Sequence, residues 1–323
     1  MERMIVMNTT LAERIYTTIK NHGKPMKIKE IASEIDDKPE TTIRGRLYRH
    51  LKDRFVRVAR GVYWIVGEGI TSSCLVVEGN GRDLSNLEDE SVDAIVTDHP
   101  WEDKKSNTGG SRKFVSSYED TAFRYTQEDF DEKARVLREG SFLVEFIPAE
   151  NENNYQYLYE MKRMAEKAGF RYYSKVAWKK GTFVSNTGRK SKNTEEVLFF
   201  TKGKARNLRP DQKKIKATGF HHTMSGAKGM LPTMFDVQPP SRKERVHQAE
   251  KPIELYEEII ELITEPGEIV LDQFAGSGNM GIAAITKKRF GILYELLKES
   301  VEGIKDRLTS FCGIEREPYV MTS

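Results

Sequence analysis

The sequence predicts an α/β protein: a doubly wound sheet preceded by a small domain of helices and a β-ribbon. Two observations predict the sheet. An apolar run at 269–271 ends in Asp272 and continues into a glycine-rich turn, and a second, largely apolar run at 92–96 leads to Asp98. Helical periodicity followed by two alternating runs predicts the small domain at 1–66. With 323 residues, 38% of them apolar, the chain can fill one large core and a small satellite.

The small N-terminal domain comes first in the chain. Apolar residues recur at helical spacing in 10–20, 28–35 and 39–51, and alternating strands follow at 55–58 and 62–65. Three helices and a β-ribbon resemble a winged helix-turn-helix domain. Nucleic-acid contacts are expected from residues that lie away from the apolar stripe of the third helix: Thr42, Arg44, Arg46, Arg49 and Lys52.

Basic charge is concentrated around this third helix. Residues 41–60 contain seven Lys or Arg and one Asp, whereas the whole chain has a formal net charge of +3. A basic face of this kind suits the phosphate backbone of DNA. A solvated helix, or a winged helix that docks on another protein, is the alternative.

The larger domain is expected at 79–310, after a linker at 67–78 and before a tail at 311–323. Asp83 lies early in this domain, where it could cap a following helix. The predicted strand at 92–96 leads into Asp98-His99-Pro100-Trp101, a turn that carries an acid, a proline and an aromatic ring. An acid at the end of a buried strand is well placed for binding or catalysis.

The second turn is rich in glycine. Glycines at 276, 278 and 281 remove Cβ atoms, so backbone can approach a ligand, and the helix that follows directs its free N–H groups towards that ligand. Glu295 ends the next apolar run, 19 residues after Gly276. That spacing suits a carboxylate that binds a ribose diol. A tight structural turn is the alternative interpretation.

Together, Asp98-His99-Pro100-Trp101 and the turn at 272–278 resemble the D-P-P-[YFW] and D-x-F-x-G-S-G motifs of the S-adenosylmethionine-dependent amino-methyltransferases that modify DNA bases. The catalytic motif precedes the cofactor motif, as in the β class of that family. Segments at 135–144, 195–204 and 247–255 also resemble family segments in the same order. The resemblance covers about 79–308 and implies a Rossmann-like methyltransferase sheet, with cofactor and target base meeting at the carboxyl ends of the strands.

The resemblance also implies which residues bind S-adenosylmethionine. Asp83 would lie near the adenine of the cofactor and Lys251 near its methionine carboxylate, although a lysine at a helix start can simply be solvated. The full set of expected cofactor-binding residues is Asp83, Lys251, Asp272, Phe274, Gly276, Ser277, Gly278, Asn279 and Glu295.

The expected catalytic residues are Asp98, His99, Pro100 and Trp101. An exocyclic base amine is a poor nucleophile because its lone pair is delocalised into the ring. The Asp98 carboxylate and the backbone carbonyl of residue 99 would accept its hydrogens and free that lone pair, while Trp101 stacks on the flipped base. His99 stands where the family usually has proline, so the carbonyl survives but the rigidity of proline is lost. A proton-accepting role for His99 is the alternative.

The irregular stretch at 205–245 lies where the β class carries its target-recognition region. Seven Lys or Arg and one Asp occur between 202 and 216, and Lys213, Lys214 and Lys216 are expected to contact the DNA backbone. The pair His221-His222 lacks a neighbouring Cys or Asp that would complete a metal site, so no metal is expected.

The leading hypothesis is a DNA methyltransferase acting on adenine N6, because Asp rather than Ser at 98 favours adenine over cytosine N4. A cytosine-N4 enzyme, an RNA methyltransferase and a DNA-binding regulator with a decayed site are the alternatives. Double-stranded DNA is the expected partner, and a homodimer is possible. With no membrane-spanning run or leader and with two isolated cysteines, Cys74 and Cys312, a cytoplasmic protein with free thiols is expected.

Overall fold

The computed structural model describes residues 10–23, 25–51, 54–65, 73–101, 122–180, 193–215, 221–223, 229–241, 250–312 and 319–322. The N-terminal elements are α1 (Leu11–His22), β1 (Met26–Lys27), α2 (Ile28–Glu34), α3 (Glu40–Arg49), β2 (Phe55–Ala59) and β3 (Val62–Ile65). The strands form an antiparallel sheet in the order β1-β3-β2.

Local signals explain where the first helix begins and ends. Thr10 and Glu13 form a capping box at the start of α1, and Gly23 ends it with a left-handed φ of 76°. The buried side chains Ile15, Ile19 and Ile43 share one core. The predicted three helices and β-ribbon are therefore confirmed as elements, while their identity as a winged helix-turn-helix stays a prediction.

The large domain is built from the remaining strands and helices. They are β4 (Ser73–Glu78), β5 (Val92–Thr97), α4 (Gln127–Val136), β6 (Leu137–Pro148), α5 (Tyr155–Lys167), β7 (Phe170–Lys179), β8 (Thr194–Lys202), β9 (Lys213–Ile215), β10 (His221–Thr223), β11 (Met234–Phe235), α6 (Ile253–Ile263), β12 (Ile269–Asp272), α7 (Asn279–Thr286), β13 (Phe290–Glu295), α8 (Lys298–Cys312) and β14 (Tyr319–Thr322).

Nine strands form the central sheet, in the order β11-β7-β8-β6-β5-β12-β13-β4-β14. Each pairs in parallel with its neighbours except β8, which is antiparallel to β6 and β7. From β5 the chain continues to one side, to β6, and from β12 it continues to the other, to β13. The carboxyl ends of β5 and β12 therefore flank a topological switch point, where α/β sheets bind ligands.

Helices cover both faces of this sheet. Side chains of α6, α7 and α8 pack on one face, and those of α4 and α5 pack on the other together with the N-terminal core. Strand β5 has buried side chains on both faces of the sheet. Ala94 and Val96 pack in the core with α6, α7 and α8, whereas Val92 and Ile95 pack in the core with α4 and α5. Burial on both faces is typical of a doubly wound sheet, which confirms the predicted fold class.

Two predicted boundaries are wrong. Residues 73–78, assigned to the linker, form β4, which lies between β13 and β14 with Leu75, Val76 and Val77 buried. Residues 74–77 are apolar without alternation, because both faces of the strand are covered. The predicted tail at 311–323 also contributes structure: α8 extends to Cys312, and β14 adds a parallel edge strand beside β4.

The N-terminal domain contacts the segment that connects β4 to β5. The backbone N–H of Arg60 donates to the carbonyl of Asn86 at 2.8 Å, and Arg57 forms an ion pair with Glu88. In the predicted target-recognition stretch, β9 and β10 form a short antiparallel pair and β11 joins the sheet edge. Among the described helices, none has the length and apolar character needed to cross a bilayer.

Candidate active site

The two predicted turns meet at the switch point, and Thr97 connects them. Its hydroxyl donates to Asp272 Oδ1 at 2.9 Å and accepts from the backbone N–H of Gln273 at 3.2 Å. Parallel pairing of Ala94 with Val270 already places the two strand ends side by side. The two hydrogen bonds of the Thr97 hydroxyl also hold the two turns in place relative to each other, so Asp98 and Asp272 belong to one site.

The Asp272 turn is shaped mainly by its backbone. Gly276 and Gly278 have φ values of 52° and 79°, in the left-handed region that favours glycine. A Cβ at Gly278 would lie 2.9 Å from Ile304 Cγ2, whereas a Cβ at Gly276 would meet no atom within 4 Å. Gly276 therefore faces open space, which leaves room for a ligand against the backbone.

Glu295 lies at the end of β13 beside this turn. One carboxylate oxygen accepts the Gly276 N–H at 2.9 Å and the other accepts the Leu297 N–H at 3.0 Å. Burial raises the pKa of Glu295, and these backbone donors oppose that rise. The Glu295 carboxylate thus orients the glycine-rich turn. It also lies where the sequence predicts a ribose contact.

Asp272 is a buried acid whose second oxygen is not paired. Oδ1 accepts from Thr97 and from the backbone N–H of Phe274, but Oδ2 has no hydrogen-bond partner among the described residues. Burial raises the pKa of Asp272 to about 7. A cationic ligand group beside Oδ2 would restore the charged form.

Asp98, unlike Asp272 among the described residues, forms an ion pair. Lys251 Nζ lies 2.5 Å from Asp98 Oδ2 and 3.3 Å from Glu195 Oε2, and the Lys251 side chain is 5% exposed. Burial raises the pKa of Asp98, and the positive charge of Lys251 opposes that rise. Burial alone would lower the pKa of Lys251, but the two carboxylates raise it above its ordinary value. Lys251 therefore stays protonated, and its ammonium lies against the carboxylate of Asp98.

This placement changes the interpretation of Lys251 and Asn279. Lys251 was expected near the methionine carboxylate, yet its ammonium is engaged by Asp98 and Glu195. The Asn279 amide donates to Glu250 Oε1 at 2.7 Å and to the Lys251 carbonyl at 2.8 Å, while its oxygen accepts from Arg307. Asn279 therefore anchors the segment that carries Lys251, and the sequence could not reveal this because the partners are distant in the chain.

His99 is buried, with 1% of its surface exposed. Its ring centroid lies 4.1 Å from that of Trp101 and 4.2 Å from that of Tyr125, and its Nε2 lies 3.2 Å from the Tyr157 hydroxyl. The imidazole is therefore packed on several sides, while the expected loss of rigidity at this position stays a prediction. Burial lowers the pKa of His99, which favours the neutral ring.

The other predicted cofactor residues surround the same strand ends. Gln273 donates to the Gly81 carbonyl at 2.7 Å, which brings the segment of Asp83 to the Asp272 turn. Asp83 is exposed and accepts the Ser85 N–H at 3.0 Å, so it caps a turn, not a helix. Phe274 packs 5.3 Å from the Phe123 ring, and Ser277 is largely buried. Their roles towards the cofactor stay predictions.

The predicted nucleic-acid residues are described in part. Thr42, Arg44 and Arg49 are exposed on α3 and Arg46 is half-buried, while Arg44 pairs with Glu40 at 2.5 Å. Lys52 and Lys216 lie outside the described residues. Lys213 and Lys214 lie in β9, where the backbone alone is described. The N-terminal residues are not part of the Asp98–Asp272 site, and their contact with DNA stays a prediction.

Several site residues were missed by the sequence analysis. Thr97, Glu145, Lys133, Tyr157 and Glu195 all lie in or beside the site. Glu145 left a signal, because it is a charge within the apolar run 142–147 of a buried strand. Lys133 and Glu145 form a fully buried ion pair. Charged side chains are almost never fully buried unless they are paired in this way.

The described residues hold no cluster of His, Cys, Asp or Glu suited to a metal ion. They do fit S-adenosylmethionine. The cofactor carries a cationic sulfonium and an ammonium, and Asp272 offers a buried carboxylate oxygen with no hydrogen-bond partner among the described residues. The open backbone at Gly276 and the carboxylate of Glu295 lie at the same strand ends. When bound, the cofactor supplies an electrophilic methyl group.

Comparison with known proteins agrees with this site. A family model described as "DNA methylase", for N6 and N4 methyltransferases, matches residues 92–306. Type II methyltransferase M.HpaI of Haemophilus parainfluenzae is 26% identical over 233 residues, covering 70% of this chain and 71% of that protein. Type II methyltransferase M.BamHI of Bacillus amyloliquefaciens is 30% identical over 244 residues, covering 70% of this chain but 54% of that protein.

The fold is also found among solved structures. A DNA modification methylase from Thermus thermophilus, complexed with S-adenosyl-L-methionine, superposes with a TM-score of 0.51 at 20% identity, covering 78% of this chain and 99% of that one. The family match spans both strand-end acids and most of the large domain. This chain therefore belongs to the N6/N4 DNA methylases, a family of S-adenosylmethionine-dependent amino-methyltransferases.

Proposed function

We propose that this protein transfers a methyl group from S-adenosylmethionine to the exocyclic N6 of an adenine flipped out of double-stranded DNA. The observation that carries the proposal is the Asp98 carboxylate beside the Asp272 turn, joined through Thr97. An acceptor for the amine and a site for the methyl donor then share one crevice. Asp at position 98, where other members of the resembling family have Ser, favours adenine.

Asp98 acts on the target amine. Its carboxylate accepts an N–H hydrogen of the amine and, with the backbone carbonyl of residue 99, favours the pyramidal nitrogen whose lone pair can attack the methyl group. Lys251 keeps a positive charge 2.5 Å from Asp98 Oδ2, which favours the ionised acid in a buried place. As the N–CH3 bond forms and the S–CH3 bond breaks, with the thioether S-adenosylhomocysteine as leaving group, the amine becomes cationic and the Asp98 carboxylate stabilises the developing charge. The methylated amine then loses a proton to solvent.

Trp101 supports the target base. It is half-buried, packs 5.4 Å from the Tyr157 ring, and follows the catalytic acid by three residues. An indole in this place can stack on an unpaired base, which contributes about 1–3 kcal/mol per base in stacking platforms. Extrusion of the base then brings its amine to Asp98.

Exposed basic residues of α3 would hold the DNA backbone. Arg44 and Arg49 lie on the exposed side of the helix, in the segment with seven basic residues and one acid. Arg44→Glu with Arg49→Glu should weaken DNA binding and reduce its dependence on salt, because fewer counterions are released. Lys20→Glu, at an exposed position of α1, is the matched control. An unchanged salt dependence would favour a protein-docking role for this domain.

The target base is tested by nucleoside mass spectrometry. Unmethylated duplex DNA is incubated with the protein and S-adenosylmethionine, then digested, and N6-methyldeoxyadenosine is expected. N4-methyldeoxycytidine instead would assign the protein to the other branch of its family, the second candidate function. RNA is incubated in parallel, and methylated nucleosides in RNA alone would contradict a DNA substrate. Absence of a methylated product on every substrate would favour a DNA-binding regulator.

A further inference from the structure

His99 lies where the resembling family has proline, and its side chain is enclosed by aromatic rings. Trp101 and Tyr125 lie on it at centroid distances of 4.1 and 4.2 Å, with Phe123 at 5.7 Å and Tyr157 at 6.1 Å. With 1% exposure, the imidazole fills a space that proline could not fill. The ring is thus a packing element of the catalytic turn.

A hydrogen-bond chain gives the ring a defined orientation. The Tyr157 hydroxyl oxygen accepts the backbone N–H of Tyr125 at 2.9 Å, which leaves its own hydrogen to donate to His99 Nε2 at 3.2 Å. The ring proton is then on Nδ1, which lies 3.8 Å from Glu145 Oε2 and has no hydrogen-bond partner among the described residues. This is a neutral tautomer held from one side by a hydrogen bond and from the other by a carboxylate.

The charge of that carboxylate is already balanced. Lys133 pairs with Glu145 Oε1, the Tyr125 hydroxyl donates to Oε2 at 3.3 Å, and the Lys133 ammonium lies 3.8 Å from the centre of the Tyr125 ring. Burial alone would raise the pKa of Glu145, but Lys133 and His99 hold it below its ordinary value. His99 does not need to be charged, and with Nε2 engaged it is not placed to take a proton from substrate.

Building on the proposed function, we propose that His99 is a positioning residue: Tyr157 and the surrounding rings fix its imidazole, and this fixes the Asp98–Trp101 turn as proline does in the resembling family. Substrate geometry at Asp98 then depends on Tyr157, a residue of α5 some sixty positions away. His99→Pro should lower activity, because it removes the acceptor of the Tyr157 hydroxyl and empties the aromatic enclosure.

The test is a double-mutant cycle on the full chain, read out as the single-turnover methylation rate at saturating cofactor and DNA. Tyr157→Phe keeps the ring and removes the hydroxyl, and we expect a loss of about tenfold, the factor for 1.36 kcal/mol of barrier. Cofactor and DNA affinities should stay within about twofold, so that the loss is in the rate and not in binding. Tyr159→Phe is the matched control on the same helix, since its side chain is 61% exposed.

The energetic coupling between the Tyr157 and His99 substitutions distinguishes a positioning role from a general loss of structure. If His99 acts through Tyr157, adding Tyr157→Phe to His99→Ala should cost little more than His99→Ala alone. His99→Gln, whose amide oxygen can reach the Nε2 position, should regain part of the rate lost in His99→Ala. Additive losses, an unchanged rate in Tyr157→Phe, or a His99→Pro variant as active as the parent would overturn the proposal. An inactive parent would instead refute the proposed function and this inference with it.

Discussion

The Asp98 turn and the Asp272 turn end neighbouring strands, but they are held in different ways. Side chains hold the first: Lys251 pairs with the acid, and aromatic rings pack around His99. Backbone geometry holds the second, through left-handed glycines and N–H donors. Asp98 already has the Lys251 ammonium beside it, whereas Asp272 keeps one buried oxygen without a hydrogen-bond partner among the described residues. This difference motivates the proposal that the two turns have separate tasks, the first acting on the neutral target amine and the second holding the cationic methyl donor.

The largest expected effect comes from removing the acid of the first turn. Asp98→Ala should lower the single-turnover methylation rate by about 10³-fold, because the interaction with the amine is strongest in the transition state. DNA affinity should change little. Asp131→Ala, an exposed acid on α4, is the control and should keep the parent rate. A rate close to that of the parent would place the chemistry at another residue.

The next effect comes from removing the charge that balances Asp98. Lys251→Met leaves Asp98 and Glu195 without their shared cation, and breaking such a buried pair should destabilise the fold by about 3 kcal/mol in thermal or denaturant unfolding. The pKa of Asp98, already raised by burial, should rise further. The rate falls as pH drops through that pKa, so the acid limb of the pH–rate profile should move to higher pH in Lys251→Met. An unmoved acid limb would show that Lys251 does not control Asp98.

A smaller effect should appear in the pH dependence of cofactor binding. The pKa of Asp272 is about 7, and a cationic ligand needs the carboxylate form. Affinity for S-adenosylmethionine should therefore rise as pH increases through 7 and level off above it, with proton release on binding. Asp272→Asn, similar in shape but uncharged, should bind weakly and lose this dependence. The same pH dependence in Asp272→Asn would assign the titration to another group.

The smallest effects distinguish the two glycines. Gly278→Ala brings a Cβ to 2.9 Å from Ile304 at a left-handed φ, so it should cost roughly 1–3 kcal/mol of unfolding free energy. Gly276→Ala meets open space, so it should cost about 1–2 kcal/mol, from backbone strain alone. Gly276→Ala should instead lower the affinity for S-adenosylmethionine, because the alanine side chain enters the space left for the ligand. Equal losses of affinity in both variants would contradict this assignment.

The sheet and both turns could be predicted because their signals are local. The acids Asp98 and Asp272 each end an apolar run, and glycines mark the second turn directly in the sequence. Strand β4 was missed because a short buried run without alternation is hard to distinguish from a linker. Its burial comes from neighbours β13 and β14, at the far end of the chain.

The side-chain network of the site could not be predicted in the same way. Lys251 pairs with Asp98 across 153 positions, and Tyr157 reaches His99 across 58. No periodicity links such residues, since their proximity depends on how α5 and the segment before α6 pack against the strand ends. His99 illustrates the consequence. The sequence showed only that histidine replaces the usual proline of the family, whereas the structure shows that its ring is enclosed by aromatic side chains and lies within hydrogen-bond distance of Tyr157.

The central claim is that the two acids divide the work, Asp98 acting on the target amine and Asp272 on the methyl donor. Calorimetric titration of S-adenosylmethionine into Asp98→Ala and Asp272→Ala tests this directly. The account predicts that Asp98→Ala binds the cofactor within about threefold of the parent, a shift below about 1 kcal/mol. Asp272→Ala should lose at least about tenfold in affinity, or about 1.4 kcal/mol. Equal losses in both variants, or normal binding by Asp272→Ala, would contradict it.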